Sequence, residues 1–257
     1  FDFTTSGQVG RFDVQNVATH ELGHFLGLDH TGSAGATMYP FVSPGLVLQR
    51  SLGLDDRGGV RDAYPSTVHA VVTGTVKRSG GAVVKGAFVV ARDAASALSD
   101  DSGAFALAGL DAGDYTVYAT PLDFPVSAAN LQPGYTVETN FGSTVGGAIT
   151  VAAGETKAFG DLVVGANVAL GLGFSSDPLP VRAIQGSPTG IVTLQGTNLL
   201  GAGLASSSAS VGVSVVGSTS SSISFIASAG GGAAVGHVDL IATQPGQTSI
   251  LPAAIEV

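Results

Sequence analysis

The sequence predicts a multidomain, predominantly β chain in which a small, partial α+β module precedes two β-sandwich domains. Hydrophobic residues fill 44% of the 257 positions and mean hydropathy is +0.40, which supplies enough apolar surface for more than one buried core. Charged residues reach only 11%, whereas 38 glycines accompany many Val, Thr, Ser and Ala residues, a composition suited to short strands and tight turns. Helical spacing of apolar residues is found near the N-terminus, and alternation takes over from Val68.

The first element is a helix over residues 14–28, where Val14, Val17, Ala18, Leu22 and Phe25 recur at three- and four-residue intervals on one face. Asp13 stands where an N-cap is needed, and Gly27 is a C-terminal stop. A shorter helix follows over about Leu54–Ala63, with Asp55 and Asp56 near the positive end of its dipole and Pro65 closing the segment. These elements make up a module over residues 1–66. Strand patterns at 69–77, 87–92 and 114–119, separated by Gly and Asp turns, place a first sandwich at 68–165. A Gly-rich stretch and Asp177-Pro178 then mark a boundary, and strands near 190–195, 211–216 and 223–226 place a second sandwich at 178–257. Its serine-rich runs, 206–210 and 218–222, read as turns within that domain.

A formal charge of −9 leaves no basic stripe to neutralise phosphates, so nucleic acid is set aside as a partner. No apolar run approaches the roughly 20 residues of a membrane span. The absence of cysteine excludes disulfides and thiolate metal sites. The chain opens at Phe1 with neither a start Met nor a basic-then-apolar leader, which reads as a processed product or an excised fragment.

The chemistry concentrates in His20-Glu-Leu-Gly-His-Phe-Leu-Gly-Leu-Asp-His30, which fits H-E-x-x-H-x-x-G-x-x-H at every fixed position. Residues four apart share a helical face, so His20 and His24 can offer imidazole nitrogens to one cation with Glu21 beside them. Gly27 frees the backbone to turn, bringing His30 round as a third ligand. Three neutral imidazoles suit Zn²⁺, with the fourth position open as in catalytic zinc. Glu21 is then placed to act as general base toward a water attacking a peptide carbonyl. Met38, the only methionine, follows His30 by eight residues within Ala36-Thr-Met-Tyr-Pro40 and fits a Met-turn, an apolar floor beneath the ligands.

Together, Val17 to Thr31, Ala36 to Pro40 and Leu54 to Tyr64 closely resemble the matrixin (matrix metalloproteinase) subfamily of metzincins. The resemblance implies zinc ligands at His20, His24 and His30, a catalytic base at Glu21, the Met-turn at Met38 and the family's C-terminal helix at Asp55 to Tyr64. Thr31 stands where matrixins usually carry Ser or Thr. Two departures stand out: Val42 occupies the position of a common Tyr in the wall of the specificity pocket, and only Phe1-Asp-Phe3 could represent the sheet that precedes the zinc helix. The resemblance covers roughly the first 65 residues, and a helix without its sheet is expected to leave an apolar face exposed.

Residues 68–165 resemble a carboxypeptidase regulatory-like, transthyretin-type domain through Gly74-Thr-Val76, Gly86 to Ala91, Asp101 to Leu110 and Ala112 to Val117. Residues 178–257 more weakly resemble an immunoglobulin-like domain of the IPT/TIG type through Ile191 to Leu199 and Ser222 to Ile226. Asp100, Asp101 and Asp114 read as turn-forming acids, so Ca²⁺ is unsupported by the residues present. His69 and His237 read as structural or surface histidines.

The expectation is therefore a secreted, extracellular zinc metalloendopeptidase acting on protein or peptide substrates. Its β domains would engage an extracellular-matrix or cell-surface ligand. The alternative is a binding or structural β protein that carries a truncated, non-catalytic zinc module.

Overall fold

A computed structural model describes residues 1–122, 125–166, 169–175 and 179–257; the Asp177-Pro178 boundary lies outside the described residues. The chain is multidomain and mostly β, and it divides into two compact units: Phe1–Gly32 with Ala36–Ala166, and Ser33–Gly35 with Asn167–Val257.

The first unit begins with two short parallel strands, β1 (Phe3–Thr4) and β2 (Phe12–Asp13), leading directly into α1 (Val14–Phe25). Asp13 caps α1 as its sequence position suggests: its backbone is extended and its Oδ1 accepts from Asn16 N–H at 3.1 Å. The helix stops three residues short of the expected 28. Gly27, at φ +93°, reverses the chain, so that Gly27 N–H reaches the His24 carbonyl (2.9 Å) and Leu28 N–H the Gly23 carbonyl (3.0 Å). The apolar stripe of α1 faces outward: Leu22 is 61% and Phe25 85% exposed, and Val14 and Ala18 are also exposed. The buried positions are instead Asn16 and Gly23.

α2 (Leu54–Ala63) lies where its pattern placed it, its first turn held by Gly53 N–H donating to Asp56 Oδ2 at 2.7 Å. Seven strands follow: β3 (Ala70–Arg78), β4 (Phe88–Ala91), β5 (Ala95–Leu98), β6 (Ala104–Leu110), β7 (Gly113–Thr120), β8 (Thr144–Val151) and β9 (Thr156–Val164). They form two sheets, β6-β3-β9 and β5-β4-β7-β8. β3 pairs antiparallel with β6 and parallel with β9, from Val71 opposite Thr156 to Arg78 opposite Val164 with a register shift between Thr73 and Gly74. Val72, Val76, Leu107 and Leu162 from one sheet and Val89, Val117 and Ile149 from the other share one core. Alternating burial along the strands produces this shared interior.

α2 is fastened to this double sheet. It runs against β5 and β6, so closely that a Cβ on Gly58 would meet the Ala95 Cβ at 2.8 Å and the Ala94 carbonyl at 2.9 Å. Arg61 donates to the Gly109 carbonyl and to Asp111, each at 3.1 Å.

The second unit carries β10 (Gly171–Ser175), β11 (Val181–Arg182), β12 (Val192–Thr197), β13 (Gly203–Ser206), β14 (Val211–Ser218), β15 (Ser222–Ala229), β16 (His237–Gln244) and β17 (Gln247–Glu256). Its sheets, β10-β12-β15-β14 and β11-β17-β16-β13, enclose a core that includes Leu194, Ile223, Phe225, Leu240 and Ile255.

Candidate metal centre

His20 and His24 project from α1 one turn apart, and the reversal at Gly27 carries His30 back toward them. Their ligand nitrogens lie within 4.8 Å of one another, and no other group of three His, Cys, Asp or Glu among the described residues is arranged to hold an ion. The ring centroids stand 4.8 to 5.1 Å apart. The Nε2 atoms of His20 and His30 are 3.2 Å apart. A tetrahedral zinc with Zn–N bonds of about 2.0–2.1 Å places neighbouring nitrogens roughly 3.3 Å apart.

The proton positions on the rings follow from what each ring touches. His20 Nδ1 is 2.8 Å from the Thr37 carbonyl, His24 Nδ1 is 2.9 Å from the Leu28 carbonyl, and His30 Nδ1 meets the Asn130 carbonyl. A carbonyl only accepts, so each Nδ1 carries a hydrogen, and in a neutral ring the Nε2 is then left with its lone pair. Three convergent lone pairs repel one another unless a cation lies between them. These residues fit zinc, and desolvation by burial holds the pKa of His20 below its ordinary value, which favours the neutral, ligating imidazole.

Glu21 is exposed beside His20. Together with Val17, Tyr39, Pro40, Val42 and Gln49 these two residues line a cavity of about 160 Å³. Val42 therefore forms part of the wall next to Glu21. Met38 is 2% exposed, and its thioether packs onto the backbone of α1 at Gly23.

Several supporting residues escaped the sequence reading. Asp56, placed there only as a helix-dipole acid, is buried. Its carboxylate accepts from Thr37 N–H (2.7 Å) and Met38 N–H (2.9 Å), fixing the turn whose Thr37 carbonyl orients His20. Asp13 does more than cap α1. Arg50 grips it through Nε (2.9 Å) and a second nitrogen (2.6 Å), and this pairing holds the Asp13 carboxyl down to about 2. Asn16 then donates to the Leu46 carbonyl at 2.7 Å, so the chain over 46–50 braces the start of the ligand helix. Sequence signals for these contacts are weak because each partner lies 18 to 37 positions away.

Asp100 accepts from Ser102 N–H, Ser102 Oγ and Ala104 N–H, which commits its carboxylate to its own turn. His69 lies 3.3 Å from Asp111, and His237 is half-buried on β16.

Residues 2–65 match the matrixin profile and residues 71–162 that of the carboxypeptidase regulatory-like domain. Metalloendoproteinase 1 of Glycine max is 41% identical over 63 residues, which is 24% of this chain and 20% of that protein. Stromelysin-3 of Rattus norvegicus is 42% identical over 66 residues, 25% of this chain and 13% of that protein. The chain thus spans a fifth or less of the length of these curated relatives. Among solved structures, the major pilin subunit of Bacillus cereus aligns with 71% of this chain and 66% of its own, at 10% identity and a TM-score of 0.26. Residues 2–65 are thus similar to matrixin and residues 71–162 to the carboxypeptidase regulatory-like domain, each match covering less than half of the chain.

Proposed function

We propose that this chain carries the zinc centre of a secreted metalloendopeptidase, with Glu21 as general base and proteins or peptides as substrates. The observation that carries the reading is the convergence of three imidazole ligand nitrogens within 4.8 Å of one another, each ring with its Nδ1 against a backbone carbonyl. His20, His24 and His30 would hold the ion and leave a fourth position open. Zinc, when bound there, supplies Lewis acidity that makes a water more acidic and a carbonyl more electrophilic.

The chain's own residues do the rest. Glu21 takes the proton of the attacking water as its oxygen bonds to the peptide carbonyl carbon, and returns it to the amine nitrogen as the C–N bond breaks. The cavity beside Glu21 receives the substrate side chain next to the scissile bond, and its volume of about 160 Å³ suits one side chain of moderate size. No helix among the described residues is long and apolar enough to cross a membrane. We take the domain limits as 1–66, 68–165 and 178–257, the last of IPT/TIG type, with the β domains holding the peptidase against a matrix or cell-surface ligand.

The outward-facing Leu22 and Phe25 favour a second reading, a β-domain binding protein with a non-catalytic zinc module. Zinc-dependent cleavage of an unstructured protein separates the two, with zinc content measured on every sample. Cleavage abolished by a chelator, and reduced at least about 10²-fold in Glu21→Ala with zinc still bound, is the expected result. One bound zinc without cleavage supports the second reading, and no bound zinc rejects both.

A further inference from the structure

Two of the three candidate ligands are steadied from within the N-terminal module, since His20 uses the Thr37 carbonyl and His24 the Leu28 carbonyl. His30 is different. It lies beyond the end of α1, without a helix to fix its ring, and its Nδ1 hydrogen goes to the carbonyl of Asn130, one hundred positions later in the chain. Asn130 ends a short 3-10 turn, Ala128–Asn130, in the connection between β7 and β8 of the regulatory-like domain.

That turn is well braced. Asn130 Oδ1 accepts from Ser127 N–H at 3.0 Å and Ser127 Oγ at 3.3 Å, and Asn130 N–H returns a bond to the Ser127 carbonyl at 2.9 Å. The backbone of the ligand is tied to the same loop. Asp29 accepts from His30 N–H through Oδ1 (2.7 Å) and from Gln132 N–H through Oδ2 (2.9 Å), bridging the two segments with one carboxylate. On the far side of His30, Thr31 Oγ1 donates to Asp55 Oδ2 (2.7 Å), which also accepts from Ser96 Oγ (3.0 Å) on β5.

The geometry points to the regulatory-like domain as a working part of the metal centre: its Ser127–Gln132 loop fixes the tautomer and direction of His30, with Asp29 and Asn130 as positioning residues. Affinity for zinc is then set partly by a domain that donates no ligand. The inference rests on the zinc reading above and adds to it which part of the chain tunes the site. Loss of an outer partner of a ligating histidine typically weakens metal binding 10–100-fold.

The test measures zinc affinity of the full chain by competition with a chromogenic chelator, for the unaltered protein and for Asn130→Ala, Asn130→Asp, Asp29→Ala and Asp29→Asn. Asn130→Ala removes the brace of the turn, whereas Asn130→Asp keeps an oxygen facing Ser127. The expected result is a 10–100-fold loss in Asn130→Ala and in both Asp29 variants, with affinity kept within about 3-fold by Asn130→Asp. A second readout follows the imidazole N–H resonances of the zinc-loaded chain: the His30 signal is lost to solvent exchange in Asn130→Ala while those of His20 and His24 persist. Should either Ala variant fail to fold by circular dichroism, Asp29→Asn, which changes a single acceptor, decides alone. Unchanged affinity in the folded variants together with an unchanged His30 resonance overturns the inference. Failure of the unaltered chain to bind one zinc overturns the zinc reading on which it stands.

Discussion

A side chain at position 23 has no room. A Cβ there would overlap the Met38 thioether and come within 3.2 Å of its terminal methyl, so an otherwise free position of the helix motif carries glycine. In an isolated helix Gly→Ala would gain about 1 kcal/mol in propensity, but forcing a methyl into a packed contact typically costs about 1–3 kcal/mol. Gly23→Ala is therefore expected to lower stability by up to about 2 kcal/mol in chemical denaturation and to weaken zinc binding, because Met38 adjoins the carbonyl that orients His20. An equal or higher stability would show that Met38 does not press on the helix. At this scale the sequence was informative where function needs a fixed spacing: His20, His24 and His30 could be read directly, and the structure brings them together. Asp56 and Asn130 could not be read, because a carboxylate holding a turn and a carbonyl holding a ring leave no local pattern.

Among the elements, α2 links the module to the double sheet. Burial pushes the Asp55 carboxyl up from the ordinary 3.8 to about 6, opposed by the Thr31 and Ser96 hydroxyls and reinforced by Asp56 nearby. Between pH 4 and 6 the folded chain then binds more protons at this site than the unfolded chain, so this group's contribution to stability falls as pH rises through that window and is flat above it. Asp55→Asn resembles the protonated acid, and thermal denaturation across pH is expected to show it matching the native chain near pH 4. At pH 7 it should be more stable by about 1–2 kcal/mol once the side chain's partial accessibility to solvent is allowed for. A variant less stable at both pH values would mean that the charge is favourable where it lies. α1 was visible from its spacing and its flanking Asp13 and Gly27, α2 from its first-turn acids and Pro65, and six of the later strands, such as β3, β7 and β15, from strand patterns bounded by turns. The stripe from Val14 to Phe25 has the period of a buried face, and Leu22 and Phe25 nevertheless point outward, the exposure expected of this helix. Periodicity reports that one side of a helix is apolar and says nothing of whether another element covers it.

For the molecule as a whole, the long-range pairings govern how the centre assembles. β3 takes its parallel partner β9 from about 85 positions downstream, across a register running from Val71 opposite Thr156, and α2 rests on the strands this pairing organises. Non-local pairing of this kind is slow compared with forming one helix. Refolding by dilution from denaturant in the presence of zinc is thus expected to show uptake of the metal no faster than the appearance of strand circular dichroism. Uptake that precedes the strand signal by more than about tenfold would mean that the three histidines organise without the sheets. The sequence suggests three domains whereas the chain clusters into two compact units, and Ser33–Gly35 groups with the later residues although it lies between His30 and Met38 in sequence.

The contact between His30 and Asn130 also has a meaning in time. Synthesis runs from the N-terminal side, so the three candidate ligands are made before the carbonyl that completes the support of His30, which follows about one hundred residues later. A nascent chain that has passed His30 but not Gln132 holds only an unfinished site. On the zinc reading proposed above, a fully supported site is thereby postponed until the regulatory-like loop has emerged.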